Sequence, residues 1–210
     1  LGAAHQGQGR YEVGLEACEA ALRLDPDSYE GNRVAGMCSI ALRRYDEATR
    51  YFEKAAEVVD TEFVAASFAV QCYEAKGEVA GATAASQRAM ARVERIIAVE
   101  PDHGRAIGFG VYALTSLRER ERAKEWAERA MLLDPDNSNM KYNIACAMVK
   151  LGEVDMALDT LENAASVFSP GLVAWIDKDR DFDPIREHPR FRAILKKVSA
   201  RLSAPAASAA

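Results

Sequence analysis

The side chains able to do chemistry are few and scattered. The three histidines, His5, His103 and His188, lie far apart, and none forms a His-Glu-x-x-His pair. No nucleophile elbow and no phosphate-cradling glycine loop is present. Gly7 and Gly9 imitate a fragment of such a loop, but no strand precedes them. The cysteines, Cys18, Cys38, Cys72 and Cys146, form no Cys-x-x-Cys pair and have no histidine at metal-ligand spacing. They read as reduced core thiols. One acidic run remains, with Asp179, Asp181 and Asp183 at alternate positions. A calcium loop of the EF-hand kind needs glycine at its sixth place and glutamate at its end. Counted from Asp179, Pro184 and Arg190 stand there instead. The run therefore reads as a solvated loop that pairs with Arg180 and Arg186. The chain is expected to be no enzyme and to hold no metal or cofactor.

Composition narrows the partners. The 210 residues are 49% hydrophobic and 28% charged, enough to build a core, with a formal net charge of −5. That balance leaves no overall basic footprint for nucleic acid and does not favour an anionic membrane surface. No apolar run approaches the roughly 20 residues that span a bilayer. Without an initial Met or a signal peptide, Leu1 reads as the start of a fragment. A cytoplasmic location is expected.

The elements that must position these residues declare themselves as a repeat. Ala21, Ala55, Ala89, Ala130 and Ala164 recur at spacings of 34, 34, 41 and 34. Seven residues before each stands another small residue: Gly14, Ala48, Ala82, Ala123 and Ala157. Seven residues are two helical turns, so each pair shares one helix face and lets a second helix come close. Pro26, Pro101 and Pro135 punctuate the same period, followed by N-cap candidates Asp27, Ser28, Asp102, Asn137 and Ser138. Inside each unit a second break falls at Gly9, Gly77 and Gly152, with Arg43 and Arg118 in the same column. A left-handed residue there turns one helix back against the next.

This pattern resembles the tetratricopeptide repeat family, whose 34-residue unit carries a Leu-Gly pair, a Tyr, Ala-x3-Phe and a closing Pro. Leu1-Gly2, Ala35-Gly36, Gly110-Val111 and Ile144-Ala145 fill the first column, Tyr73 the second, and Ala48 with Phe52 the third. The resemblance implies an all-α solenoid of antiparallel helix pairs. A half-repeat covers 1–28, repeats cover 29–62, 63–103, 104–137 and 138–171, a capping segment covers 172–202, and a mobile tail covers 203–210. The half-repeat should leave apolar surface exposed near Tyr11 to Leu24. The 41-residue unit should carry a long helix from about Glu78 to Val99 that overhangs its neighbours by about 10 Å. Val93, Ile96 and Ile97 on it are candidates for packing or for pairing two chains.

The family binds peptides on the concave face formed by the first helix of each unit. By this resemblance, Glu30, Arg33, Met37, Ser67, Gln71, Arg105, Tyr112, Asn139, Tyr142 and Cys146 line that face. A protein or peptide partner is implied. The carboxylate clamp of some members is not reproduced, because Met37, Phe68 and Phe109 replace its polar residues. The stretch Asp181–Phe191 also resembles the end of repeat regions in bacterial multidomain signalling proteins, including class III nucleotide cyclases. That likeness implies a regulatory region, which could serve either to bind a partner or to pair catalytic domains.

Overall fold

A computed structural model describes residues 1–203. The tail expected at 203–210 lies, from residue 204 on, outside the described residues. Among the described residues the regular elements are all α-helices apart from one 3-10 helix. Five hairpins run in order: α1 (Gly2–Gly7) with α2 (Tyr11–Leu22), α3 (Tyr29–Ala41) with α4 (Tyr45–Val58), α5 (Val64–Ala75) with α6 (Val79–Val99), α7 (Gly104–Ser116) with α8 (Arg120–Leu133), and α9 (Ser138–Leu151) with α10 (Val154–Ala164). Then come α11 (Pro170–Ile176), a 3-10 helix (Arg180–Ile185) and α12 (Pro189–Ser203). From α1 to α10 each helix packs on the next, the arrangement of a tetratricopeptide-type solenoid.

The column of turn residues sets the hairpins. Gly9, Arg43, Gly77, Arg118 and Gly152 all have φ between 58° and 76°. In each, the next residue's N–H reaches back five positions, as from Arg44 to Ser39 O at 2.8 Å and from Glu153 to Met148 O at 2.9 Å. This closes the helix end with its last carbonyls satisfied. The small columns pack as their spacing requires. Ala48, Ala55, Ala89, Ala123, Ala127, Ala130, Ala157 and Ala164 are all wholly buried. A Cβ on Gly36 would meet the Phe52 ring at 2.8 Å, so the Leu-Gly column is a close-contact position.

The caps differ in part from expectation. Ser28 and Asn137 accept from Gly31 N–H and Met140 N–H. At α7, however, His103 Nδ1 rather than Asp102 takes the N–H of Ala106, at 3.1 Å. Ala21 breaks the buried column and is exposed. The helix α1 is only six residues long and does not reach it, which also leaves Leu24 89% exposed.

The long helix α6 does not overhang freely. Val93 lies in the core against α7, where its Cγ1 would be 3.3 Å from a Cβ on Gly110. Arg92 donates to the carbonyls of Ala56 and Glu62, and Arg95 to that of Asp60, so the extension is tied along the α4–α5 turn. Ile96 and Ile97 are half-buried, while Val99 is exposed.

The C-terminal segment does more than cap α10. The helix α12 buries Phe191, Ile194 and Val198 against α10 and α11, as a cap should. Residues 170–186 cross the concave face and return to the start of the array. Gly171 leaves no room for a Cβ beside Gly7 O, and Trp175 meets the Tyr11 ring edge-on at 6.4 Å. Asp183 pairs with Arg43 at 3.4 Å, and Arg180 lies over the Tyr45 ring. The first and last thirds of the chain are thus joined across the concave side.

Candidate functional site

The inner helices α3, α5, α7 and α9 supply the concave wall, and the crossing segment divides the face in two. At the waist sits Asp179, 2% exposed. The expectation of a solvated acidic loop is therefore corrected for Asp179 and Asp181, while Asp183 is exposed and pairs with Arg186 at 2.8 Å as expected. Phe182 and Ile185, exposed by only 0% and 3%, anchor the 3-10 helix and carry the aspartates inward. Phe182 packs on Tyr142 and stacks on Phe191. Gln71 Nε2 donates to Asp179 Oδ1 at 3.0 Å and to Asp181 Oδ2 at 3.2 Å. Tyr142 donates its hydroxyl to Asp179, and Trp175 Nε1 donates to that hydroxyl at 2.5 Å. Cys146 Sγ lies 3.8 Å from Asp179 Oδ2. Arg186 binds the carbonyls of Asp177 and Asp179, not their carboxylates.

Beside this waist, Glu74 accepts from Lys150 at 2.6 Å and from Tyr112 at 3.1 Å, and also from Ser116. Lys150 lies 3.9 Å from the Tyr112 ring centroid. Burial raises the Asp179 carboxyl above its ordinary range. Burial and then the Asp179 charge raise Asp181 as well. Burial likewise pushes up the Tyr112 and Tyr142 phenols and the Cys146 thiol. Asp183 goes the other way: Arg186 and Arg43 hold it low against the effect of burial.

The residues expected on the concave face fall into two groups. Gln71, Tyr112, Tyr142 and Cys146 are buried at the waist beneath the chain's own segment. Ser67 is buried too, its hydroxyl donating to Phe63 O on its own helix. Arg33, Met37, Arg105 and Asn139 instead line an open basin of about 400 Å³. Arg33 is held by exposed Glu30 in a bidentate pair at 2.7 and 2.8 Å, and its Nη1 reaches Met37 Sδ. Arg105 is exposed, lies over the Phe63 and Phe109 rings, and has no ion pair among the described residues. The basin also contains Phe68, Phe109, Asn143 and Leu172, which the sequence reading did not place there. The Phe68 and Phe109 rings, noted only as clamp replacements, form part of an aromatic run from Phe52 to Phe63. Of the expected pairing residues, only Ile96 and Ile97 reach the surface, since Val93 is buried.

No protein-family profile matches the chain, and no curated protein matches it. Solved structures do. TTC0263, a thermophilic TPR protein in Thermus thermophilus, superposes with a TM-score of 0.59 at 17% identity, over 96% of this chain and 95% of that one. PilF of Pseudomonas aeruginosa superposes with a TM-score of 0.53 at 15% identity, over 96% and 87%. The chain has the tetratricopeptide-type all-α solenoid fold. None of its described helices is long and apolar enough to cross a membrane.

Proposed function

We propose that this chain is a protein-interaction scaffold that takes a peptide segment or a projecting loop of a partner in the open basin of its concave face. One observation carries the reading. The basin's lining has no acidic side chain and two arginines, Arg105 without an ion pair among the described residues and Arg33 paired with exposed Glu30, over an apolar floor of Met37, Phe68, Phe109 and Leu172. Asn139 and Asn143 at its wall suit an extended backbone, which presents donors and acceptors in turn. A segment carrying a carboxylate beside an apolar side chain matches this chemistry. The reading is one of binding, not catalysis. Four free, buried thiols accord with a cytoplasmic setting.

Fluorescence polarisation with labelled peptides tests it. Acidic–apolar peptides should bind with an affinity that falls as salt rises, and Arg105→Glu should weaken them by about tenfold or more. Equal binding of basic and acidic peptides would defeat the proposal.

A second reading is favoured by Val99 at 81% exposure beside half-buried Ile96 and Ile97 at the end of α6. That patch could pair two copies. With the likeness of Asp181–Phe191 to signalling proteins, it would make the chain a regulatory region that brings catalytic domains of a parent nucleotide cyclase together. Light scattering over a concentration series decides this. A dimer that Ile96→Glu and Ile97→Glu dissociate supports it, and a monomer at all concentrations removes it.

A further inference from the structure

The waist of the groove holds donors that no sequence spacing brings together. We propose that Cys146, Asp179, Asp181 and Gln71 bind one divalent transition-metal cation of the zinc type, which clasps the C-terminal segment to α5 and α9.

The geometry comes first. Cys146 Sγ and one carboxylate oxygen from each aspartate lie within 4.8 Å of one another. Gln71 is 5% exposed, and its amide faces both carboxylates through Nε2. Its Oε1 is buried with no partner among the described residues. The two amide atoms exchange places by a half-turn of the side chain. Oε1 turned toward two carboxylates is repelled, unless a cation lies between them, and then it becomes a ligand. A cavity of about 20 Å³, room for about one small particle, adjoins Gln71, Cys146 and Asp181. Half-buried Asp181 and buried Gln71 also border a wide cleft of about 840 Å³, which gives an ion a path in.

Charge comes second. From α5 the pair faces Gln71 and Glu74, from α7 Tyr112, and from α9 Tyr142, Cys146 and Lys150. Lys150 is already held by Glu74 at 2.6 Å. Arg186 reaches only main-chain oxygens of Asp177 and Asp179 and the carboxylate of Asp183. No side-chain cation among the described residues contacts either carboxylate of the pair. A buried carboxylate needs a proton, a partner or a metal, and here a soft donor stands beside it. One thiolate with carboxylate and amide oxygens suits Zn²⁺ or Co²⁺, and the thiolate disfavours Ca²⁺ and Mg²⁺. The outer contacts are also in place. Trp175 donates to Tyr142, Tyr142 to Asp179, and the Asp181 N–H to Asp179 Oδ1 at 3.0 Å. On binding, the Cys146 thiol gives up its proton to solvent and its sulfur lone pair to the metal.

The test uses the full chain, stripped by a chelator and titrated with Co²⁺, then with Zn²⁺. One equivalent of Co²⁺ should produce the near-ultraviolet thiolate-to-cobalt absorption, Zn²⁺ should displace it, and either metal should raise Tm. Cys146→Ser, with helical circular dichroism retained, should abolish the band. Asp181→Asn should weaken Zn²⁺ by about tenfold or more. X-ray absorption of the zinc-loaded wild-type chain should show a single sulfur among oxygen neighbours, a readout that holds even if the variants fail to fold. A band that survives Cys146→Ser, a zinc shell with no sulfur or with several, or a Tm unmoved by metal each overturns the proposal, and would leave a shared proton as what balances the pair.

Discussion

Cys38 and Cys72 show how single residues report on the array. Each is wholly buried between helices, and burial pushes both thiols up to about 12. At neutral pH they should resist iodoacetamide in the native chain and react once it is unfolded, which mass spectrometry of the alkylated protein would show. The folded pKa is raised, so the stabilising contribution is whole below the ordinary thiol value and is lost as pH climbs from about 9 toward 12. Denaturant midpoints should therefore fall through that alkaline window, and Cys72→Ala should blunt the fall. Residue identity was legible in sequence where a column repeated it. Arg43 and Arg118 stand in the glycine column and adopt its left-handed backbone. It was not legible where a neighbour substituted, as His103 does for Asp102 as the cap of α7.

Individual elements depend on these positions unequally. Gly152 takes φ 76° with open space around it, so Gly152→Ala meets only backbone strain. It should cost about 1 kcal/mol in chemical denaturation. Arg118, at φ 63°, already carries that strain, and Arg118→Gly should gain up to about 1 kcal/mol. The 3-10 helix depends on Phe182, whose ring is fully buried between Tyr142 and Phe191. Phe182→Ala should cost about 3–5 kcal/mol and release the aspartates from the groove, seen as new protease cleavage near Asp179. The helix pairs were readable from a 34-residue period because each contact is local. The crossing of the concave face was not, since Gln71 and Asp179 meet over 108 residues and periodicity says nothing of what lies across a face. One signal was present: Phe182 and Ile185 are interspersed with the acids, and a fully solvated loop has no use for such apolar side chains.

At the scale of the molecule, the open basin and the waist divide one surface, and the chain's own segment fills only the waist. Arg33, Met37, Arg105 and Asn139 remain available, while Gln71, Tyr112 and Tyr142 are engaged from within. Phe182→Ala should therefore enlarge the proposed peptide site as well as weaken the fold. The measurement is a comparison of peptide affinity between the variant and wild type under conditions where both keep their helical signal.

The seating of Gly171 on Gly7 changes how such a chain should come apart. A linear stack of helix pairs melts from its ends inward, because terminal units have one neighbour where inner units have two. Here the first hairpin and the segment that follows the last hairpin are each other's neighbours, and Tyr11, Arg43 and Tyr45 take hold of residues contributed from Trp175 onward. These contacts close the array into a loop with a latch. Amide hydrogens of α1 and α11 should exchange together, and breaking the latch should convert one cooperative transition into a graded unzipping.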